Sequence, residues 1–568
     1  MLYWAVTAQY GDGVFSDEVI TKPILEFCYD WAAKKFLELM RSTVDPQFLY
    51  FLFSNHEDSI HIYYQTAEPD FDKEDISISL LSLNRRILKL ALEQVCDIEY
   101  GPDLGLNSSK LNHFISLLED LLYVGDRLYA YSEYMAEQRM MENPTQIIVG
   151  EGDVLIQRQH HYDHIYHVTE KFNNEGYEKG IVDNMLVKEL RQQLLICFGI
   201  DYDKAGGQIF VIKKHHSSHL YQTIQRDVLI ENLIRSGVSE EHANNFYGGL
   251  TISRENKLEI KASVYQSGSF YRYMFRPILI VSINGEMRAL IGEEKWQESI
   301  FVMATNGFQW QHGPEEWKQN DCFKKFLERK HDEHDKLLED QAQAIFEKKD
   351  FYFDRKVMKL LGENGLVVDI NDQPGEIDFI FFDHDCKKIL VTDCKYHRAR
   401  YEMVGFSNDY VQFTRHYEKK MKRKIQFIKN KLELLKTHMV KQKGLPIDFD
   451  IKAYSVEGLF IVNTPTFYIF NGIFPTITIG HLEEFIEYCY KFGDLVLKYP
   501  THNKIIKHPW FTVQEEQDAF RLHKSVTADL LVANTSIFGK QRNQLSNIGG
   551  RWISFYFCRQ NIKIYSCF

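Results

Sequence analysis

Residues 375–398 read GEIDFIFFDHDCKKILVTDCKYHR, and this stretch restricts the fold more than any other. EIDFIFFD and KILVTDCK have the length and the aromatic and β-branched content of buried strands. Yet they carry Glu376, Asp378, Asp393 and Lys395. A buried carboxylate or ammonium is costly unless it is paired, hydrogen-bonded or bound to a metal. Any fold that accepts these strands must therefore compensate four charges near their ends.

A hairpin supplies a geometry for doing so. With His384, Asp385, Cys386 and Lys387 as its loop, Asp383 faces Lys388, an acceptable loop length. Asp378 then falls opposite Asp393, and Glu376 opposite Lys395. Side chains two apart on a strand share a face, so all four project from one side. A loop one residue shorter would put the two aspartates on opposite faces. Carboxylates that close repel unless a cation lies between them. Hard oxygen ligands suit Mg²⁺ or Mn²⁺. A carboxylate-held metal beside a lysine is a kit for phosphodiester hydrolysis. The same residues also suit a plain buried ion-pair network, with Glu376 joined to Lys395.

Around this stretch the chain of 568 residues is too long for one hydrophobic core. Four regions are expected. Residues 1–144 mix helices with the strands FLYFLFSN and SIHIYYQ. Residues 145–339 are strand-rich (TQIIVGEGDVLIQ, GQIFVIKK, KLEIKASVY, RPILIVSI, MRALIGEE), with a helical insert and a charged connector helix from Cys322. Residues 340–499 alternate helix and strand, and residues 500–568 form a C-terminal extension. The class is α/β locally and multidomain α+β overall.

GEIDFIFFD followed by ILVTDCKY resembles the core of the PD-(D/E)XK nuclease superfamily, a mixed-sheet, restriction-endonuclease-like fold. In that family a Gly-Glu-Ile-Asp-type segment ends in a metal-binding Asp, and the next strand ends in Asp/Glu-x-Lys. The resemblance covers residues of about 340–470. It implies Asp378 and Asp393 as metal ligands, Lys395 as the catalytic lysine and Glu376 as an accessory acid. Many members place a further acid on the preceding helix. FDRKVMKLL matches with Asp354 in that position, on a helix expected to run to Leu361, and Glu347 is the alternative. Asp354 stands where Glu is commoner, and Pro374 is not adjacent to Asp378. The resemblance implies a Mg²⁺- or Mn²⁺-dependent hydrolase acting on DNA, by analogy with bacterial restriction and phage-defence nucleases. A noncatalytic nucleic-acid-binding scaffold and an RNA-targeting nuclease toxin are the other readings.

The net charge of −12 does not favour nonspecific nucleic-acid binding, so a local basic patch is needed. It is expected just after Lys395, at Arg398 and Arg400, and on a long basic helix bearing Arg415, Lys419, Lys422 and Arg423. Met421, Ile425, Ile428 and Leu432 are expected to face inward on that helix. Two histidine groups, at His160, His161, His164 and His167 and at His215, His216 and His219, are weaker metal or phosphate candidates. The nine cysteines are scattered and odd in number, which favours reduced thiols. The N-terminal residues MLYWAVTAQYGDG lack a secretory pattern, and no apolar run spans a membrane. A cytoplasmic protein is expected, acting on nucleic acid, with a partner protein or a second copy open.

Overall fold

The computed structural model describes residues 2–65, 78–104, 108–159, 181–211, 221–370, 374–398, 400, 402–490, 495–498 and 503–506. Both histidine groups, and all but a few residues of the 500–568 extension, lie outside the described residues.

The apolar stretch forms the middle of a five-stranded mixed sheet. Its strands are β1 (Tyr352–Val357), β2 (Ile377–Asp383), β3 (Lys388–Lys395), β4 (Ser455–Val462) and β5 (Thr476–Thr478). They lie side by side in chain order. β1–β2 and β2–β3 are antiparallel, and β3–β4 and β4–β5 are parallel. The hairpin has the expected register, from Asp383 opposite Lys388 to Phe379 opposite Thr392. The Asp383 carboxylate holds its loop, accepting from the backbone N–H groups of Asp385 and Cys386 at 3.0 Å each. Lys387 closes the turn at φ 56°.

Alternation divides the sheet's side chains between two covers. Phe379, Phe381 and Leu390 pack under Leu338, Ala342 and Phe346 of the helix Asp321–Lys348. Ile380, Phe382, Ile389 and Val391 pack with Met421 and Ile428 of Glu418–Asn430 and with Leu435 and Met439 of Leu432–Lys443. Both faces are buried, so β2 and β3 read as continuous apolar runs. Charge is tolerated only at their ends.

FDRKVMKLL is not helical. It forms β1 and a short strand, Lys359–Leu361, that pairs with Val367–Asp369. The helix ends earlier, at Lys348. Phe353, Val357 and Leu360 follow a helical period; the segment is extended because β1 pairs along β2. The long basic helix is also interrupted. It runs as Met403–Gln412, a π-helical turn at Phe413–Tyr417, and Glu418–Asn430, with Leu432–Lys443 separate.

Four expected strands are helical: FLYFLFSN and SIHIYYQ both lie in Pro46–Gln65, GQIFVIKK as far as Val211 in Tyr202–Val211, and KLEIKASVY partly in Ile260–Tyr265. Phe48, Leu49, Leu52, Phe53 and Ile60 are buried at helical spacing, and packing overrides their β propensity. The strands expected in TQIIVGEGDVLIQ, RPILIVSI and MRALIGEE form, paired as the hairpins Thr145–Gly150/Asp153–Arg158 and Ile278–Ile283/Glu286–Gly292. They turn on left-handed Glu151-Gly152 and Asn284-Gly285. One buried cluster runs from Val6 through Val149 and on to Leu290.

Four of the cysteines depart from the reduced state expected of them, while Cys28, Cys96 and Cys394 are free thiols. Cys197 bonds Cys322 and Cys386 bonds Cys489. Each pair lies more than a hundred residues apart in sequence, a proximity that spacing does not disclose. Among the described residues no helix is long and apolar enough to cross a membrane.

Candidate active site

Asp378, Asp393 and Lys395 converge at the end of the β2–β3 pair. Asp378 Oδ2 accepts a hydrogen bond from the Cys394 backbone N–H at 2.6 Å. Lys395 Nζ lies 3.9 Å from Asp378 Oδ2 and 3.6 Å from Asp393 Oδ2, and donates to the Cys394 carbonyl at 3.2 Å. The other Asp393 oxygen takes Lys424 Nζ at 2.5 Å. The Tyr417 ring, placed by the π-helical turn, stands 5.4 Å from Lys395 Nζ. Such turns recur at functional sites. Glu376 stands just before β2, half-buried, and forms no ion pair with Lys395. The regular pairing of the hairpin ends at Phe379–Thr392. Beyond it the ammonium leans toward two carboxylates instead of one.

Electrostatics separates the two aspartates. Burial, reinforced by Asp393, pushes the Asp378 carboxyl up to about 6 against the pull of Lys395 and Lys424. Burial acts on Asp393 too, but Lys395 and Lys424 outweigh it and hold that carboxyl below the usual range. Burial disfavours a charge on Lys395, yet the two aspartates more than reverse this and raise it.

No family model, curated protein or solved structure matches this chain.

The remaining expected site residues are dispersed. Asp354 lies on β1 opposite Ile380, and its carboxylate is taken up by His438 at 2.8 Å and Lys443 at 2.7 Å. It ties the sheet to the Leu432–Lys443 helix. Glu347 is exposed and accepts from Gln343. The helix before β1 instead offers Asp335 and Glu339. Burial raises Asp335, which lies close enough to feel the charge of Lys395. Glu339 is buried and bonds Arg355 at 2.8 Å.

Arg398 and Arg400 do not present free cations. Arg400 grips Asp409 through two hydrogen bonds of 2.9 and 2.7 Å, and Arg398 is half-buried over the Phe275 ring. Arg415, Lys419, Lys422 and Arg423 are exposed, as a phosphate-binding face requires. Lys424 points inward with Met421 and Ile428. A lysine on the apolar stripe of a helix is a readable signal that the motif-based site left out.

The site's donor set fits a hard divalent cation. Among the described residues no three His, Cys, Asp or Glu groups cluster for a metal. However, Mg²⁺ is commonly held by one or two carboxylates, with water and substrate phosphate completing its shell. Asp378 and Asp393 supply two. Lys395 stands beyond direct hydrogen-bonding reach of both carboxylates, leaving oxygens for a second cation.

Proposed function

We propose that residues 321–490 act as a divalent-metal-dependent nuclease of the PD-(D/E)XK type, with DNA as substrate. The observation that carries this reading is the convergence of Asp378, Asp393 and Lys395 at the ends of two otherwise apolar strands. An acid-bearing helix before β1 adds support, with Asp335 and Glu339 replacing Asp354 in the preceding-helix role. Asp378 and Asp393 would hold Mg²⁺ or Mn²⁺. When bound, such an ion polarises a phosphate and lowers the pKa of its water. Lys395 is charged and fixed, so its ammonium orients water and offsets charge growing on the phosphate. Lys424 keeps Asp393 ionised. Arg415, Lys419, Lys422 and Arg423 hold the backbone of the substrate at some distance from the reacting bond.

A second reading, a noncatalytic nucleic-acid-binding scaffold, is favoured by one observation: two lysines already compensate the two aspartates. One experiment separates them. The full chain is incubated with circular single- and double-stranded DNA and with RNA, in Mg²⁺, Mn²⁺ or EDTA. Lys395→Ala and Asp378→Ala are run alongside. Metal-dependent cutting of DNA, reduced by about a thousandfold or more in both variants, is the expected result. Cutting of RNA alone would reassign the substrate. Binding without cutting under every condition would favour the scaffold.

A further inference from the structure

A second group of charges gathers between three helices of the N-terminal half. Pro46–Gln65 contributes His56 and Glu57, Ile78–Gln94 contributes Arg85 and Lys89, and Glu293–Asn306 contributes Lys295 and Glu298. All are buried except Lys89, which is half-buried. Glu298 accepts from Arg85 and, at 2.5 Å, from Lys295. Lys295 also donates to the Met274 carbonyl at 3.1 Å. Glu57 caps the third helix, accepting from the Glu294 N–H at 2.9 Å. It is seated against Gly292, where a Cβ would meet its carboxyl at 2.2 Å.

Several buried polar atoms go unsatisfied here. Both ring nitrogens of His56, one oxygen of Glu57, Arg85 Nε and the Tyr273 hydroxyl lack a hydrogen-bond partner among the described residues. The His56 and Tyr273 rings lie 5.3 Å apart. Lys89 has no acidic partner within ion-pair distance among the described residues. Native interiors leave few such groups, and each requires an explanation. Five unsatisfied atoms in one place are hydrogen-bonding capacity that a bound group could use.

The charge balance gives that occupant a sign. Burial pushes Glu57 up to about 8, so it is largely uncharged at neutral pH. Burial, with Lys295 beside it, holds His56 neutral. Burial, with Arg85 and Lys295 adding to it, pulls Lys89 down to about 7 even though Glu298 opposes this. Glu298 alone stays ionised against Arg85, Lys89 and Lys295. A buried excess of cations calls for an anion. A guanidinium fork with two ammonium groups matches phosphate. Tyr63, more than a third exposed, lies over the Arg85 guanidinium at 4.4 Å, which puts the cluster one side chain below the surface.

We propose that this junction binds a phosphate-bearing small molecule through Arg85, Lys89 and Lys295. The site is separate from the nuclease-like sheet, and the proposal stands whether or not that sheet cuts DNA.

Thermal unfolding of the full chain tests it. Inorganic phosphate, pyrophosphate and AMP are each compared with chloride at equal ionic strength. The wild type is expected to melt several degrees higher with at least one of them, in a saturable manner. A larger shift with AMP than with the inorganic ions would identify a phosphate ester as the occupant. Lys89→Met and Lys89→Gln should bind about a hundredfold more weakly. Their ligand-free midpoints should be no lower than that of the wild type, because the removed charge was unpaired. No shift in the wild type, or equal shifts in wild type and variants, would overturn the proposal.

Discussion

Asp378 and Asp393 are one strand apart, yet burial and the two lysines shift them in opposite directions. Asp378 binds its proton more tightly in the folded chain than in the unfolded one. The stability it lends the metal-free protein is therefore complete below about pH 4, the ordinary carboxyl range. That stability is lost as the pH rises through about 6. A divalent cation requires the ionised form, so its affinity should rise across the same window. Titration calorimetry with Mn²⁺ at about pH 5 and about pH 7.5 checks this. Tighter binding at the higher pH is expected. Equal affinities would remove Asp378 from the proposed ligand set. Above about pH 6 the metal should also restore the stability that Asp378 alone withdraws.

The position of Lys424 is a property of its whole helix. Glu418–Asn430 crosses β4 at Gly458, where a Cβ would come within 2.8 Å of Ile425 Cδ1 and Met421 Cγ. Those two side chains flank Lys424 in the helix. Gly458→Ala asks only the flexible ends of Ile425 and Met421 to move, and should cost about 1 kcal/mol. Gly458→Leu must lift the helix and draw Lys424 away from Asp393, at about 3 kcal/mol. Urea unfolding of both variants reads this difference, and equal costs would mean that the helix is not seated by that glycine. The hairpin under it was legible in the sequence because loop length and strand-end charge fix a register together. β1 was not, because Phe353, Val357 and Leu360 follow a helical period, and only the pairing with β2 makes the segment extended. Arg400 looked like a phosphate ligand until Asp409, nine residues on, was seen to occupy it. Asp335 and Glu339 carried a weaker signal, two acids a helical turn apart on a helix assigned only a linking role. The disulfides carried none, since each depends on the tertiary fold.

Across the molecule, Arg86 is one of several groups by which the N-terminal half meets the five-stranded sheet and the segment after it. Arg86, on the Ile78–Gln94 helix, pairs with Glu402, lies 3.7 Å from Glu133 and stacks 3.8 Å from the Tyr129 ring centroid. Glu402 occupies the N-cap position of Met403–Gln412, in the segment that follows Lys395. The same helix carries Arg85 and Lys89, so an occupant of the basic junction and the position of the Lys395 segment act on one element. Apolar packing also crosses here, because Ala136 and Met140 belong to the buried cluster of the sheet. A double-mutant cycle separates the two contributions. Arg86→Met and Glu402→Gln, alone and combined, should show a coupling of about 1–2 kcal/mol in urea unfolding. Amide exchange at residues 402–412 should speed up in either single variant. Zero coupling would leave the packing of Ala136 and Met140, with Arg398 over the Phe275 ring, as the bond between the halves. In that case the junction could bind phosphate without any effect on Lys395. A measured coupling would instead make the Ile78–Gln94 helix the physical route by which one site biases the other.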